Sequence, residues 1–227
     1  MMPKEGLESS IPSLRMLLYP ENWNYPFQAV ASISNTGVIT FDQKYYSIEG
    51  SCSYLLTRDF YGGEFDIIAD FATYEDMNSD FEGFKSLRIR SGTNEWVTLG
   101  LDGHVTMNNE EVSLPFTAGN FEITSSGTDI RATLLNDQFE VHCNIDYHVC
   151  YAILQGSYFN RVNGLFGNFN YEPFDDVAMI GGFQLENEMN LINYWTVSEL
   201  CRPTSSSFRR LDEMDDLVNL LVSFYKL

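Results

Sequence analysis

The sequence predicts an all-β fold, a sandwich or a barrel of short strands, with helix-permissive stretches near the C-terminus. Three observations carry that prediction. Aromatic residues are abundant, with 17 Phe and 13 Tyr in 227 residues, and aromatic and β-branched side chains suit a pleated, half-buried surface. Several stretches alternate apolar and polar residues with period two, as a strand with one buried face does. Turn residues recur at short intervals, at Asn35-Thr36-Gly37, Phe60-Tyr61-Gly62-Gly63, Asp102-Gly103, Ser126-Gly127 and Asn136-Asp137, the punctuation of many short strands.

Taken in order, residues 1–25 mix Pro3, Pro12 and Pro20 with Ser and Asn and read as a linker or the end of a preceding domain. Residues 28–34 alternate, with Ala29, Ala31 and Ile33 on one face and Val30, Ser32 and Ser34 on the other. Residues 38–41 and 45–48 follow as short strands. Residues 51–59 form a strand with Cys52, Tyr54 and Leu56 on one face. Residues 64–73 set Phe65, Ile67, Ala69 and Phe71 against Asp66, Ile68 and Asp70, which predicts a half-buried antiparallel strand. Further strands are expected at 85–90, 95–101, 104–108, 120–125, 129–135, 138–143 and 149–155. Residues 185–200 are helix-permissive, and 203–207 read as a polar linker. Residues 211–227 place Leu211, Met214, Leu217, Val218, Leu221, Phe224 and Tyr225 at helical spacing, with Asp212 and Glu213 suited to the helix dipole. Such a stripe packs onto a neighbour, or faces a lipid or a partner.

The formal net charge is −19, from 13 basic and 32 acidic side chains. That field repels phosphate backbones and anionic headgroups, so nucleic acid is not an expected partner. No apolar run reaches membrane-spanning length, so no transmembrane segment is expected. Residues 1–13 lack a basic start followed by an apolar core, so no signal peptide is visible. A secreted protein with this sequence is then expected to be part of a longer precursor.

Four cysteines, Cys52, Cys143, Cys150 and Cys201, fit two disulfides in any of three connectivities, or four free thiols. Cys143 and Cys150 flank Asn144-Ile145-Asp146-Tyr147-His148, and cysteines at the ends of two strands joined by a short hairpin can reach bonding distance. His104, His142 and His148 fall on predicted strands or a hairpin, and no Gly-x-Ser-x-Gly or His-Glu-x-x-His run occurs. Asp175 and Asp176 could form the acid/base pair of a metal-dependent hydrolase. Adjacent carboxylates are more simply ion ligands, and no enzyme is expected.

The densest chemistry lies in residues 164–176, Gly164-Leu165-Phe166-Gly167-Asn168-Phe169-Asn170-Tyr171-Glu172-Pro173-Phe174-Asp175-Asp176. Gly and Pro break regular structure here, and Asn and Asp favour turns through bonds to their own backbone. The stretch offers oxygen ligands and little else, which suits a hard cation such as Ca²⁺. The residues alone also fit an ordinary acidic surface turn.

Four stretches in the same order resemble the von Willebrand factor type D domain family. They are Thr40-Phe41-Asp42 followed by Tyr45-Tyr46, the run Gly50-Ser51-Cys52-Ser53-Tyr54, the loop at 164–176, and Asn193-Tyr194-Trp195-Thr196-Val197 with Cys201. The resemblance covers residues 28–201 and sets the expected domain at 26–202, with a linker and amphipathic helix at 203–227. Departures accompany it: Gln43 stands where the family has Gly, and Phe166 and Asn163 where it usually has Cys. The cysteine-poor form looks like the D domain of large lipid-transfer proteins, the apolipophorin and vitellogenin group.

The resemblance implies an all-β fold of two antiparallel sheets packed as a sandwich, with a calcium loop and short helices near the C-terminus. It implies a Ca²⁺ site made by Asp42, Asn168, Asn170, Asp175 and Asp176, with the backbone carbonyl of Glu172 as a sixth ligand. It implies a Cys52–Cys201 disulfide, leaving Cys143 with Cys150. It further implies a non-enzymatic extracellular module of a lipid-transport lipoprotein, partnered by other domains of that lipoprotein or by a cell-surface receptor. A module of an adhesive, clotting or gel-forming matrix protein is the alternative, and a metal-dependent hydrolase a remote one.

Overall fold

The computed structural model describes residues 27–48, 52–72, 83–92, 95–134, 138–177, 185 and 188–197. The linker expected at 1–25, the helix expected at 211–227 and Cys201 lie outside the described residues.

Among the described residues, fifteen strands form two antiparallel sheets. In chain order they are β1 (Gln28–Ser34), β2 (Gly37–Ile39), β3 (Tyr45–Ser47), β4 (Ser53–Asp59), β5 (Phe65–Phe71), β6 (Phe84–Ser91), β7 (Glu95–Gly100), β8 (Val105–Met107), β9 (Glu110–Glu111), β10 (Phe116–Ala118), β11 (Phe121–Ser126), β12 (Asp129–Leu134), β13 (Phe139–Asn144), β14 (Val149–Gln155) and β15 (Val162–Asn163). The first sheet runs β10-β11-β12-β13-β14-β1-β2-β3, and the second β15-β4-β5-β6-β7-β8-β9. A short helix, α1 (Glu188–Tyr194), follows.

Alternation fixes which side of each strand faces inward. Ala29, Ala31 and Ile33 of β1 are buried, as are Cys150, Ala152 and Leu154 on its partner β14. Across the interior, Phe65 of the second sheet stacks on Phe139 of the first at 4.5 Å between ring centroids, and Tyr158 meets Phe65 edge-on at 5.1 Å. Cys143 and Cys150 face each other across β13 and β14 and are joined by a disulfide. Cys52 is also disulfide-bonded.

Two strands depart from the simple pattern. A bulge between Leu55 and Thr57 breaks the alternation of β4, so Tyr54, Leu55, Leu56 and Thr57 are all buried; one extra residue turns the following side chains to the other face. The expectation that β5 is half-buried is corrected. Phe65 to Ala69 are all buried, because arginines of the neighbouring strands lie across its outer face. Arg58 and Arg90 reach Asp66 at 2.7 and 2.5 Å, and Arg88 reaches Asp70 at 2.6 Å. Their alkyl stems cover apolar surface while their charges are paired, and Ile68 lies directly opposite Arg88.

The helix expected over 185–200 is shorter. Leu191 and Ile192 are its buried face, and Trp195 follows, fully buried. The chain then runs beside β4: Leu55 N–H donates to the Trp195 carbonyl at 2.8 Å and Val197 N–H to that of Ser53 at 2.9 Å.

Phe65 and Phe139 bridge the two sheets, so Phe65→Ala and Phe139→Ala should each cost about 3–5 kcal/mol by chemical denaturation. Beyond the area lost, the double variant should reveal a pair coupling of about 0.5–1.5 kcal/mol.

Candidate metal site

The loop at 164–176 is held by both sheets. Leu165 and Phe166 N–H groups donate to the carbonyls of Leu55 and Leu56 in the β4 bulge at 3.1 and 2.7 Å. Phe41 N–H, in the turn between β2 and β3, donates to the Phe166 carbonyl at 2.9 Å, and the Tyr46 hydroxyl donates to that of Leu165. Phe166 and Phe169 are buried beneath the loop and pack against Phe41 at 5.6 and 5.8 Å. Gly164 has φ +147°, and a Cβ there would strike the Leu56 carbonyl, so only glycine lets the loop lie this close to the strand.

Asp42 is 5% exposed. Its two oxygens accept the consecutive N–H groups of Asn170 at 3.0 Å and Tyr171 at 2.7 Å. Phe169 and Tyr171 have φ of 55° and 69°, so this part of the loop adopts the left-handed turns in which successive N–H groups form a concavity for an anion. Asp176 is 2% exposed and accepts the Thr40 hydroxyl at 2.5 Å and Asn168 N–H at 3.3 Å. Burial pushes its carboxyl up to about 7. The Thr40 and Asn168 bonds oppose that rise, and the nearby charges of Asp42 and Asp175 add to it.

Asp175 accepts Asn170 Nδ2 at 2.8 Å through Oδ2, while its Oδ1 is buried with no hydrogen-bond partner. The Asn168 side-chain oxygen is likewise buried and unpaired. The Asn170 oxygen accepts Glu172 N–H at 2.7 Å, and the Glu172 carbonyl accepts Asp175 N–H at 3.2 Å. The Glu172 side chain is exposed. Asp42, Asn170, Asp175 and Asp176 are thus hydrogen-bonded through their side chains, and Asn168 and Glu172 take part through their backbones. Among the described residues, no three carboxylate, imidazole or thiol groups are arranged to hold a metal ion by themselves. Any ligand set here draws on the amide oxygens as well.

The chemistry of the donors fits a hard cation. Buried Asp66 and Asp59 are neutralised by Arg58, Arg90 and Arg161, and half-buried Asp70 by Arg88. Asp42, Asp175 and Asp176 pair with no lysine or arginine among the described residues. Unpaired buried oxygens are rare and call for a donor or an ion. Two such oxygens beside uncompensated carboxylates form an oxygen-only environment of the sort Ca²⁺ takes.

Thr40 was the partner that sequence reasoning missed. It stands in the quoted Thr40-Phe41-Asp42 turn, but its bond spans 136 positions and no local pattern assigns it. Gln43, where the family has Gly, takes φ 68°, a conformation that costs a side chain with a Cβ.

A β-sandwich with a long acidic loop pinned to the β2–β3 turn defines the class, and no described helix is long and apolar enough to cross a bilayer. The chain belongs to the von Willebrand factor type D domain family, whose model matches residues 31–182. It is 28% identical over 200 residues to apolipophorins of Locusta migratoria, covering 86% of this chain and 5% of that protein. It is 25% identical over 181 residues to mucin-2 of Rattus norvegicus, covering 79% of this chain and 12% of that protein. Against von Willebrand factor of Bos taurus it is 29% identical over 161 residues, covering 70% and 16%. The chain therefore spans a small part of each relative.

Gly167 has φ +79°, and a Cβ there would collide with Asp176 Oδ1. Gly127 has φ +63° with nothing within 4 Å. Gly127→Ala should cost only the left-handed penalty of about 1–2 kcal/mol. Gly167→Ala should cost clearly more, because it also displaces Asp176; equal thermal shifts would show that the loop yields freely.

Proposed function

We propose that this domain is a non-enzymatic, calcium-binding structural and interaction module of an extracellular lipid-transport lipoprotein. The observation that carries the calcium reading is the pair of orphaned oxygens, Asn168 Oδ1 and Asp175 Oδ1, beside an Asp176 carboxyl lifted by burial. Asp42, Asn168, Asn170, Asp175 and Asp176 would hold the ion, with the Glu172 carbonyl as a further ligand. The ion would offset the carboxylate charge that no arginine reaches. The role of the residues themselves is positional: Asp42 and Thr40 gather the loop against the β2–β3 turn, and Gly167 allows Asp176 to approach it.

Similarity to apolipophorins over 86% of the chain supports the lipoprotein reading, as does the low cysteine count of four. Similarity to mucin-2 and von Willebrand factor supports a second reading, a module of an adhesive or gel-forming extracellular protein. The complete transcript separates them: lipid-transfer sequence beside this module favours the first, and cysteine-dense modules favour the second.

Binding would be nearly exclusive to the folded state, because Asp42 and Asn170 are 128 positions apart. At 100 times Kd, Ca²⁺ should add about 2.7 kcal/mol. At about 2–4 °C per kcal/mol for a domain of this size, Tm should rise by roughly 5–11 °C between chelator and saturating Ca²⁺. Mg²⁺ should do less, since it demands a tight octahedron. Asp42→Ala should melt lower in chelator and lose most of the Ca²⁺ increment. A wild-type Tm unmoved by millimolar Ca²⁺ would overturn the calcium reading.

A further inference from the structure

The outer face of the first sheet carries an apolar patch at one end. Ile153 of β14 lies opposite Val30 of β1, and Tyr151 lies opposite Ser32, which in turn faces Ile39 of β2, itself opposite Tyr45 of β3. Val30, Ile39, Tyr45 and Tyr151 are 36, 40, 59 and 42% exposed. Tyr45 lies against Gly37, where a Cβ would meet its ring at 2.7 Å, so the ring lies down on the sheet and widens the patch. Elsewhere the same face is polar, with Glu140 and His142 on β13, Arg131 on β12 and Thr124 on β11. Contiguous exposed apolar surface of this kind marks a contact site.

We propose that this face seats the chain's own C-terminal apolar stripe at residues 211–227. Three observations select that occupant. First, the chain leaves the described domain close by. Val197 N–H is bonded to the Ser53 carbonyl, and Ser53 is six positions beyond Ser47, where β3 ends, so the exit lies within about 20 Å of the edge of the patch. With Cys201 bridged to Cys52, as the family resemblance implies, residues 202–210 form the tether and span about 30 Å when extended.

Second, the shapes match. Leu211, Met214, Leu217, Val218, Leu221, Phe224 and Tyr225 fall on one side of a helical wheel. A helix of that length is about 25 Å long and 10 Å wide, and the four strands β14, β1, β2 and β3 span about 15 Å. Third, charge is complementary. The start of the stripe carries Asp212, Glu213, Asp215 and Asp216, and Lys44 stands next to Tyr45 with no carboxylate partner among the described residues.

Hydrogen exchange read by mass spectrometry on the full chain tests this. The expected result is slowed exchange over 211–227, at least tenfold below the rate of an unstructured peptide. Ile39→Asp, at an exposed position, should abolish that protection. Thr124→Asp, at the polar end of the same sheet, should leave it intact. Leu217→Asp with Leu221→Asp should abolish it from the tail side without touching the sandwich. Exchange at unstructured rates in the wild type overturns the proposal, as does protection that survives Ile39→Asp. Protection that rises with protein concentration also overturns it, because a second copy then covers the face.

Discussion

The two N–H groups of Asn170 and Tyr171, donated to one buried carboxylate on Asp42, are the contact on which the site depends. Asp42 lies in the turn between two strands of the first sheet, while the loop that reaches it is hydrogen-bonded to β4 of the second. The loop is thus a clasp between the sheets at one end of the sandwich. Phe41, Phe166 and Phe169 fill the space beneath it, so the polar clasp lies over an apolar floor. Low dielectric strengthens its hydrogen bonds and raises the cost of any group left unpaired. That is why the orphaned oxygens of Asn168 and Asp175 carry weight.

The domain handles buried acid in two ways. On the outer face of the second sheet, Asp66 and Asp70 are met by Arg58, Arg88 and Arg90 from the strands on either side. At the β4–β5 turn, Asp59 caps the N–H groups of Tyr61 and Gly62 and takes Arg161 as well. In the clasp no guanidinium serves among the described residues, and burial instead pushes the Asp176 carboxyl up to about 7. Breaking a buried ion pair by removing one partner is strongly destabilising, since a lone charge remains. In the proposed calcium site the clasp's partner would come from solution.

Much of the sandwich was legible in the residues because alternation reports one-sided burial. β1 and β14 follow their pattern along their whole length, and Cys143–Cys150 follows from the hairpin between them. β9, β10 and β15 have two or three residues each, too few for a period to show. The two-sided burial of β5 depends on arginines from β4 and β6, and the β4 bulge on the loop that fills it; neither is a property of the strand's own sequence. At the site, residue type gave the oxygens and the turn, and family resemblance brought in Asp42. The Thr40 hydroxyl and the orphaned oxygens appear only when distant segments are brought together.

A crystal structure of the domain grown with millimolar Ca²⁺ would decide whether the clasp holds an ion. One ion is expected, with Asn168 Oδ1, Asp175 Oδ1 and carboxylate oxygens of Asp42 and Asp176 at about 2.3–2.6 Å. An empty clasp, with its carboxylates still bonded as they are to Thr40, Asn170 and Tyr171, would contradict that expectation.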